Sequence, residues 1–542
     1  MSDDRVPVLI VGGSLVGLST ALFLAGEKIP CLLVERHPGT SVHPRAVGYY
    51  PRTLEILRAA GLEETVLQAA AGFKDHTLRA GLESLTGQVF WSRDELAGGD
   101  ELDDLTPSRM VLLPQDRLEP LLRSRAELLG ARTSYGTELV SFEADATGVT
   151  SVLRDRASGT ERTVRSDYLV GADGPRSLVR ETLGVPRHGR GVISHQLSMA
   201  FTAHMREALD GRRFSVAHVQ NDEVTGILVH DDTLTEGTLV VAYNPAEGDS
   251  LDDFTDERCA HLVRAAIGVP DLEVRIRSRF PWEMAEFASE EYRRGRIFLV
   301  GDAAHVIPPT GGYGSNTGIA DAHNLVWKLA SVIRGTAGAG LLDSYDEERR
   351  PLGDFVANQG ALELAVRSNT ATDEQKAQIA DPLAVTMGYR YVSGAVLNGS
   401  ADDSAQPPAV LDPRTTGGRP GTRAPHLLVE SQGKEVSTLD LFGGGFTLLA
   451  GEDADPWCTA AGSAADELGL RLAVHRTGGT RGQVLRPVTG DFAEAYGVGP
   501  QGAVLVRPDG FVAWRSHGSA DSSGEDPGAI GTALRRLLAR AS

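Results

Sequence analysis

The chain has 542 residues, with 53 Lys and Arg against 73 Asp and Glu, a formal net charge of −20. Its length exceeds what one hydrophobic core serves, so two or three domains are expected, and the acidic surplus opposes nonspecific attraction to nucleic acid or anionic membranes. Three cysteines, Cys31, Cys259 and Cys458, lie far apart with no CxxC pairing, which argues against a disulfide framework or a zinc site and fits a reducing cytoplasm. Residues 6–26 are apolar enough to resemble a signal peptide or a membrane span. Asp3 and Asp4, however, stand where a positive start belongs, and Pro7, Gly12, Gly13 and Gly17 interrupt the run, so neither is expected.

In chain order, residues 8–11 read as a strand, 15–25 as a helix and 31–34 as a second strand ending at Glu35, a βαβ unit. A leucine-rich helix is predicted over 52–61 and another over 115–129, leading into alternating segments near 134–142; 168–171 reads as a further buried strand. Between about 185 and 281 the pattern turns to period-two runs, at 214–219, 226–230 and 238–243, which predict an antiparallel sheet in a separate layer. Residues 297–300 form another short apolar strand, and 341–350 and 373–379 look helical. The stretch 400–425 is dense in Pro, Gly, Thr and Asp, as a linker would be. Beyond it, a strand at 446–449, a helix at 457–468, a strand at 470–475 and a hairpin at 503–514 around Pro508, Asp509 and Gly510 could fold alone.

The chemistry concentrates in two places. Gly12, Gly13 and Gly17 occupy the first strand-to-helix turn, and Glu35 follows at close to the roughly 20-residue spacing of an acid that binds a ribose hydroxyl. Ser14 stands where the strict pattern wants glycine; it is small and its hydroxyl could donate to phosphate. Gly335, Gly338 and Gly340 follow a helix rather than a strand and read as a helix-end connector, leaving one dinucleotide fold. The second place is 301–330, GDAAHVIPPTGGYGSNTGIADAHNLVWKLA, a strand, acid, Pro/Gly loop and helix in succession. Asp302 would emerge at the strand's C-terminal end, and Pro308 and Pro309 would stiffen the loop. Gly311, Gly312 and Gly314 would let bare backbone approach a flat ligand, and a helix opening near Ser315, Asn316 and Thr317 would favour an anion such as a reduced flavin ring.

Three stretches together, the glycine turn with Glu35 and Arg36, YLVGADGPRSLVR at 168–180, and RIFLVGDAAHVIP at 296–308, resemble the FAD-dependent aromatic hydroxylases, the single-component flavoprotein monooxygenases related to para-hydroxybenzoate hydroxylase. GRPGTRAPH at 418–426 and LVRPDGFVAWR at 505–515 narrow the likeness to bacterial aromatic polyketide hydroxylases of the aklavinone hydroxylase type. The resemblance implies an α/β fold: a discontinuous Rossmann-like FAD-binding domain (1–184 and 282–400), an antiparallel-sheet substrate domain (185–281 with parts of 69–110), a linker (401–425) and a thioredoxin-like C-terminal domain (426–542). It implies an FAD site that includes Leu15 beside the glycines, with Glu35 on the adenosine ribose, Arg36 and Arg45 as basic contacts, and Gln115 and Leu139 lining the cofactor. Asp173 would serve both FAD and the nicotinamide donor, and Asp302 would accept from the ribitol chain. The implied reaction takes NADPH, or alternatively NADH, to reduce FAD, and dioxygen to form a flavin C4a-hydroperoxide that hydroxylates a polycyclic aromatic substrate in antibiotic biosynthesis.

Ring-inserting Baeyer–Villiger oxygenation, antibiotic inactivation and a non-oxygenating flavin dehydrogenase are the alternatives. No catalytic base is evident. His305 reads equally as a structural hydrogen-bonder or a proton carrier; Trp327, Leu325 and Leu329 read as helix core, and Tyr49 and Tyr50 as aromatic packing. No metal, nucleic-acid or membrane partner is expected, and the chain is read as a monomer or homodimer.

Overall fold

The computed structural model describes residues 4–397, 410–478, 484–516 and 526–540. Its first layer is a sheet in the order Arg293–Arg294, Ile297–Leu299, Glu161–Gly171, Asp4–Val11, Cys31–Glu35 and Arg132–Tyr135, parallel except at the first pair. The long strand Glu161–Gly171 does double duty, since its first half pairs antiparallel with Gly148–Asp155 and its second half pairs parallel with Asp4–Val11. Both faces of the parallel part are covered, which is why Val8, Leu9, Ile10, Leu33, Leu169 and Val170 read as unbroken apolar runs and are buried.

The second layer is a sheet in the order His305–Val306, Arg275–Ser289, Arg187–Thr202, Glu236–Tyr243, Thr225–His230, Phe214–Gln220, Leu78–Leu82 and Val89–Asp94. Its pairs are antiparallel except where Phe214–Gln220 meets Leu78–Leu82. The strand runs expected from period-two patterning are present, and the sheet reaches further along the chain than 281, to Ser289. Alternate residues Leu197, Met199 and Phe201 enter a core with Cys259 and Val263 of helix Asp256–Ile267.

The C-terminal segment forms a four-stranded sheet in the order Leu472–Arg476, Phe446–Ala450, Ala503–Val506, Val512–Ser516, with the first pair parallel and the others antiparallel. Helices Asp455–Leu468 and Ala529–Leu537 pack together beside it. This unit is docked rather than tethered. Trp327, Ala337 and Leu341 of the first domain belong to the same core as Phe446, Trp457 and Ile530. Of the expected linker, 401–409 lies outside the described residues, and the rest is well packed, with Thr422 and Arg423 buried. Among the described residues no helix is long and apolar enough to cross a membrane.

Candidate active site

Parallel register brings the sequence-distant residues together. Val11 lies level with Val34 and Gly171, and Gly171 with Leu299, so four chain segments leave the sheet at one edge. Backbone bonds weld the exits: Gly12 N–H donates to Val34 (2.8 Å), Ala172 N–H to Val11 (2.8 Å) and Val300 N–H to Gly171 (3.0 Å). Gly12, Glu35, Asp173 and Asp302 therefore converge, as the carboxyl edge of an open α/β sheet requires of a ligand crevice.

At the first exit Gly12 has φ +107°, and a Cβ there would lie 2.2 Å from the Ala172 carbonyl oxygen. A Cβ on Gly17 would lie 1.9 Å from the Gly12 oxygen, so this glycine is what lets helix Leu15–Gly26 sit against the turn. Ser14 is the helix N-cap residue, yet its side chain makes no capping bond. Its hydroxyl instead donates to Glu119 (2.6 Å) and accepts from Gln115 Nε2 (3.0 Å). Glu119, fully buried, also accepts from Gln115 (2.7 Å) and from Ser41 N–H (2.6 Å). It thereby fastens the glycine turn to the loop carrying Arg45. Sequence reading missed Glu119; its signal was the four-residue step from Gln115, which puts both side chains on one helix face. Gln115 begins its helix, as expected, but its side chain turns to Ser14 rather than capping.

Glu35 accepts from Gly13 N–H (2.7 Å) and His37 N–H (2.8 Å). Arg36 is exposed, whereas Arg45 lies over the Phe280 ring at 5.1 Å, bridging to the second sheet. The Leu139 side chain packs in the first domain's core and is 6% exposed. Asp173 accepts from Ser177 Oγ (2.5 Å) and Val179 N–H (3.1 Å), and burial raises its carboxyl above the ordinary range against those bonds.

Asp302 differs from every other acid here. It is solvent-accessible, has no hydrogen-bond or ion-pair partner among the described residues, and yet lies deep enough that desolvation raises its carboxyl, with His305 and Arg45 opposing. His305, which the sequence leaves as either a structural hydrogen-bonder or a proton carrier, is bonded into the interior. Its Nε2 pairs with Asp321 (2.7 Å), which also accepts from Gly301 N–H (3.0 Å) and Arg349 Nε (2.7 Å), all in the dry interior.

The loop after Asp302 bends through Gly311 (φ +78°) and Gly312 (φ +68°), and exposes Pro309. Helix Tyr313–Ile333 then starts at Tyr313, two residues before the expected opening at Ser315, because Gly312 already supplies the left-handed cap. Gly314 and Ser315 consequently lie in its first turn. Asn316 holds the loop in place: Oδ1 accepts from Tyr50 N–H (3.0 Å) and Thr53 Oγ (2.6 Å), and Nδ2 donates to Gly48 (3.2 Å) and Gly312 (2.8 Å). Tyr50 is more than packing, since its hydroxyl donates to the Gly311 carbonyl. Tyr49, Leu325, Trp327 and Leu329 are buried, as expected, and Trp327 also donates to Asp509 (3.1 Å).

Between this edge and the second sheet lies a cavity of about 240 Å³. Val42, Pro44, Val47, Leu112 and Pro114 wall it on one side and Phe201, Phe214 and Val229 on the other.

Residues 5–359 match the FAD binding domain family, and 417–541 match the family described as aromatic-ring hydroxylase, C-terminal. The chain belongs to the FAD-dependent aromatic-ring hydroxylases. It is 45% identical to a 4-methyl-5-nitrocatechol 5-monooxygenase of Burkholderia sp, over 99% of this chain and 98% of that one. It is 42% identical to tetracenomycin A2 monooxygenase-dioxygenase of Streptomyces glaucescens, over 100% and 98%. The crystal structure of aklavinone-11 hydroxylase with FAD and aklavinone superimposes at a TM-score of 0.89, with 38% identity and 100% of each chain covered. This flavin-dependent hydroxylase accordingly uses FAD, and its cofactor domain spans the converging edge described above.

Proposed function

We propose that this hydroxylase consumes NADPH, with NADH as the alternative reductant, and dioxygen to hydroxylate a polycyclic aromatic polyketide in antibiotic biosynthesis. The carrying observation is Asp302, an accessible acid without a partner on the carboxyl edge of the sheet, flanked by two helices that lack side-chain caps.

The residues present fit FAD. The first-turn N–H groups of helix Leu15–Gly26 would receive the pyrophosphate at Gly12, Gly13, Ser14, Leu15 and Gly17. Glu35 keeps lone pairs free for the ribose beyond the two N–H groups it already binds. Arg45 and Arg36 would add positive charge, Gln115 would orient Ser14, and Leu139 would support the adenosine side from the core. Asp302 would accept from the ribitol chain. Asp173 would face FAD and the nicotinamide. The bare backbone at Pro309, Gly311 and Gly312, with Gly314, Ser315 and Asn316 at the second helix start, would lie under the ring and favour its anionic reduced form. The buried Thr310 hydroxyl, which has no hydrogen-bond partner among the described residues, is a further polar group on this loop.

Bound FAD would supply hydride acceptance from the nicotinamide and oxygen activation. The protein's part is to fix the ring, hold its negative charge with a helix terminus, and keep the aromatic substrate in a water-poor cavity. Separate cores support the division into cofactor and sheet domains, and a core confined to the C-terminal segment supports a third unit, although a second core there is shared with Trp327, Ala337 and Leu341 of the cofactor domain. The βαβαββα order of the last, with helix Phe492–Tyr496 between the second and third strands of its sheet and with one parallel and two antiparallel pairings, supports a thioredoxin-like fold; a lone Cys458, its thiol raised by burial, speaks against disulfide exchange.

A second reading, a monocyclic catechol substrate, draws on the 45% identity to the nitrocatechol monooxygenase. Stimulated NADPH oxidation by the yellow holoenzyme separates the two, with aklavinone and 4-methyl-5-nitrocatechol as probes. The polyketide reading expects the tetracycle to stimulate more strongly. Stimulation by the nitrocatechol alone would replace it.

A further inference from the structure

The cavity between the two layers contains polar atoms that no group among the described residues uses. Its walls are largely apolar, but His76, Ser215 and Asp116 line it, and His76 Nδ1, Ser215 Oγ and Asp116 Oδ1 are buried without a hydrogen-bond partner. His76 is only 3% exposed. A buried imidazole nitrogen left unpaired is unfavourable, so three such atoms around one cavity point to a ligand that bears hydroxyl groups.

The His76 ring is held in a built position. Its edge contacts are Phe73 at 5.6 Å and 78°, and His230 at 5.2 Å and 69°. Its backbone N–H donates to the Phe73 carbonyl (2.9 Å), closing a tight turn. Gly72 lets that turn lie against the 231–236 loop, because a Cβ there would come within 2.2 Å of Asp232 Oδ2. The neighbouring His230 is already committed. Its Nε2 accepts from Phe214 N–H (3.3 Å), which places the proton on Nδ1, and Nδ1 donates to the Asp231 carbonyl (3.0 Å). Of the two histidines on the cavity, His76 is therefore the one left to meet a ligand.

We propose that His76 is a specificity-determining residue that hydrogen-bonds a ring hydroxyl of the aromatic substrate and so selects phenols over their ethers. Burial holds both imidazoles below their ordinary range, so His76 meets the substrate as a neutral ring able to accept from a phenol O–H. The inference rests on reading the cavity as the substrate site of the hydroxylase.

The test uses FAD-loaded enzyme and two probes, 2,6-dihydroxyanthraquinone, whose hydroxyls are not peri to a carbonyl, and its dimethyl ether, with binding read from perturbation of the flavin absorbance. Wild-type protein should bind the diphenol roughly tenfold to a hundredfold more tightly than the ether. His76→Phe should erase that preference while leaving affinity for the ether within about twofold, a difference near the noise of single-contact changes. His76→Gln, which restores a polar group of similar reach, should recover part of it. A preference that survives in His76→Phe overturns the proposal. So does an equal loss for both probes, which marks a packing role, and so does wild-type protein that binds neither. The underlying functional reading fails separately, if wild-type enzyme holds no FAD or its flavin is not reduced by NADPH.

Discussion

At the C-terminal interface Glu348 accepts hydrogen bonds from Arg507 (2.6 and 2.9 Å), Lys328 (2.8 Å), Asn324 (2.7 Å) and Ser393 (2.6 Å); at the sheet edge Asp302 accepts none. Burial alone would raise the Glu348 carboxyl, but Arg507 and Lys328 hold it far below the usual carboxylate range. Asp302 is raised, with little to oppose it. Asp509 extends the saturated region, taking Arg507 Nε (3.0 Å) and Trp327 Nε1 (3.1 Å) on its carboxylate, while its carbonyl takes Arg52 Nη2 (2.8 Å). Glu55, drawn down to about 2 by Arg423 and Arg52 against burial, joins the same interface from the other side. Each carboxylate oxygen of Glu55, Glu348 and Asp509 accepts at least one hydrogen bond from the protein. Such a region fixes geometry, whereas Asp302, beside two helix ends without side-chain caps, has no partner among the described residues.

The sharpest way to break this contrast is to unbalance the saturated side. Arg507→Met leaves the buried Asp509 carboxylate without its cation and Glu348 with Lys328 as its one charged partner among the described residues, and should cost about 3–5 kcal/mol of stability, read by denaturant unfolding followed at Trp457 and Trp514. Unchanged unfolding would mean that the network contributes nothing. The pH dependence has opposite signs in the two regions. Glu348 has a depressed folded value, so its stabilisation is present at neutral pH and is lost as pH falls below the unfolded carboxylate value, about 4.3, toward the folded one. Glu348→Gln should flatten that acid limb.

Asp302 has a raised folded value, so the apoprotein should gain stability as pH falls through it, and ionised Asp302 is a cost at neutral pH. Asp302→Asn should therefore raise the Tm of the apoprotein while weakening FAD binding about tenfold to a hundredfold, the range for losing hydrogen bonds to a charged acceptor. Flavin-to-protein ratio and apoprotein melting measure the two effects on one sample. An unchanged ratio would remove Asp302 from the cofactor site. A smaller difference separates the two arginines. Arg45→Ala should weaken FAD retention, because Arg45 stands near Asp302 and over Phe280. Arg36→Ala, on an exposed side chain, should alter stability by no more than about 0.5 kcal/mol.

The open side was legible in the sequence because its logic is local. Gly12, Gly17 and Glu35 report a strand, turn and strand within one short unit, and Asp302 follows its strand directly. Even there, Gly312 shifted the helix start by two residues, and Asn316, expected at the ligand, spends its side chain on Tyr50, Thr53 and its own loop. The saturated side could not be read. Arg423 and Glu55 are 368 residues apart, and Arg507 and Glu348 are 159 apart. Nothing in spacing or periodicity links such pairs. Trp327 read correctly as core, but its indole nitrogen and the Pro508–Gly510 turn that receives it meet only through tertiary packing. Glu119 falls between these cases, carrying a local cue in its four-residue step from Gln115 whose meaning depends on Ser14 and Ser41 from other elements.

Turnover of a phenolic substrate with NADPH under isotopically labelled dioxygen is the decisive measurement of monooxygenation. The product should carry a single labelled oxygen atom, formed in step with NADPH oxidation. NADPH consumption with no label in any product, all of the oxygen appearing as peroxide, would contradict monooxygenation.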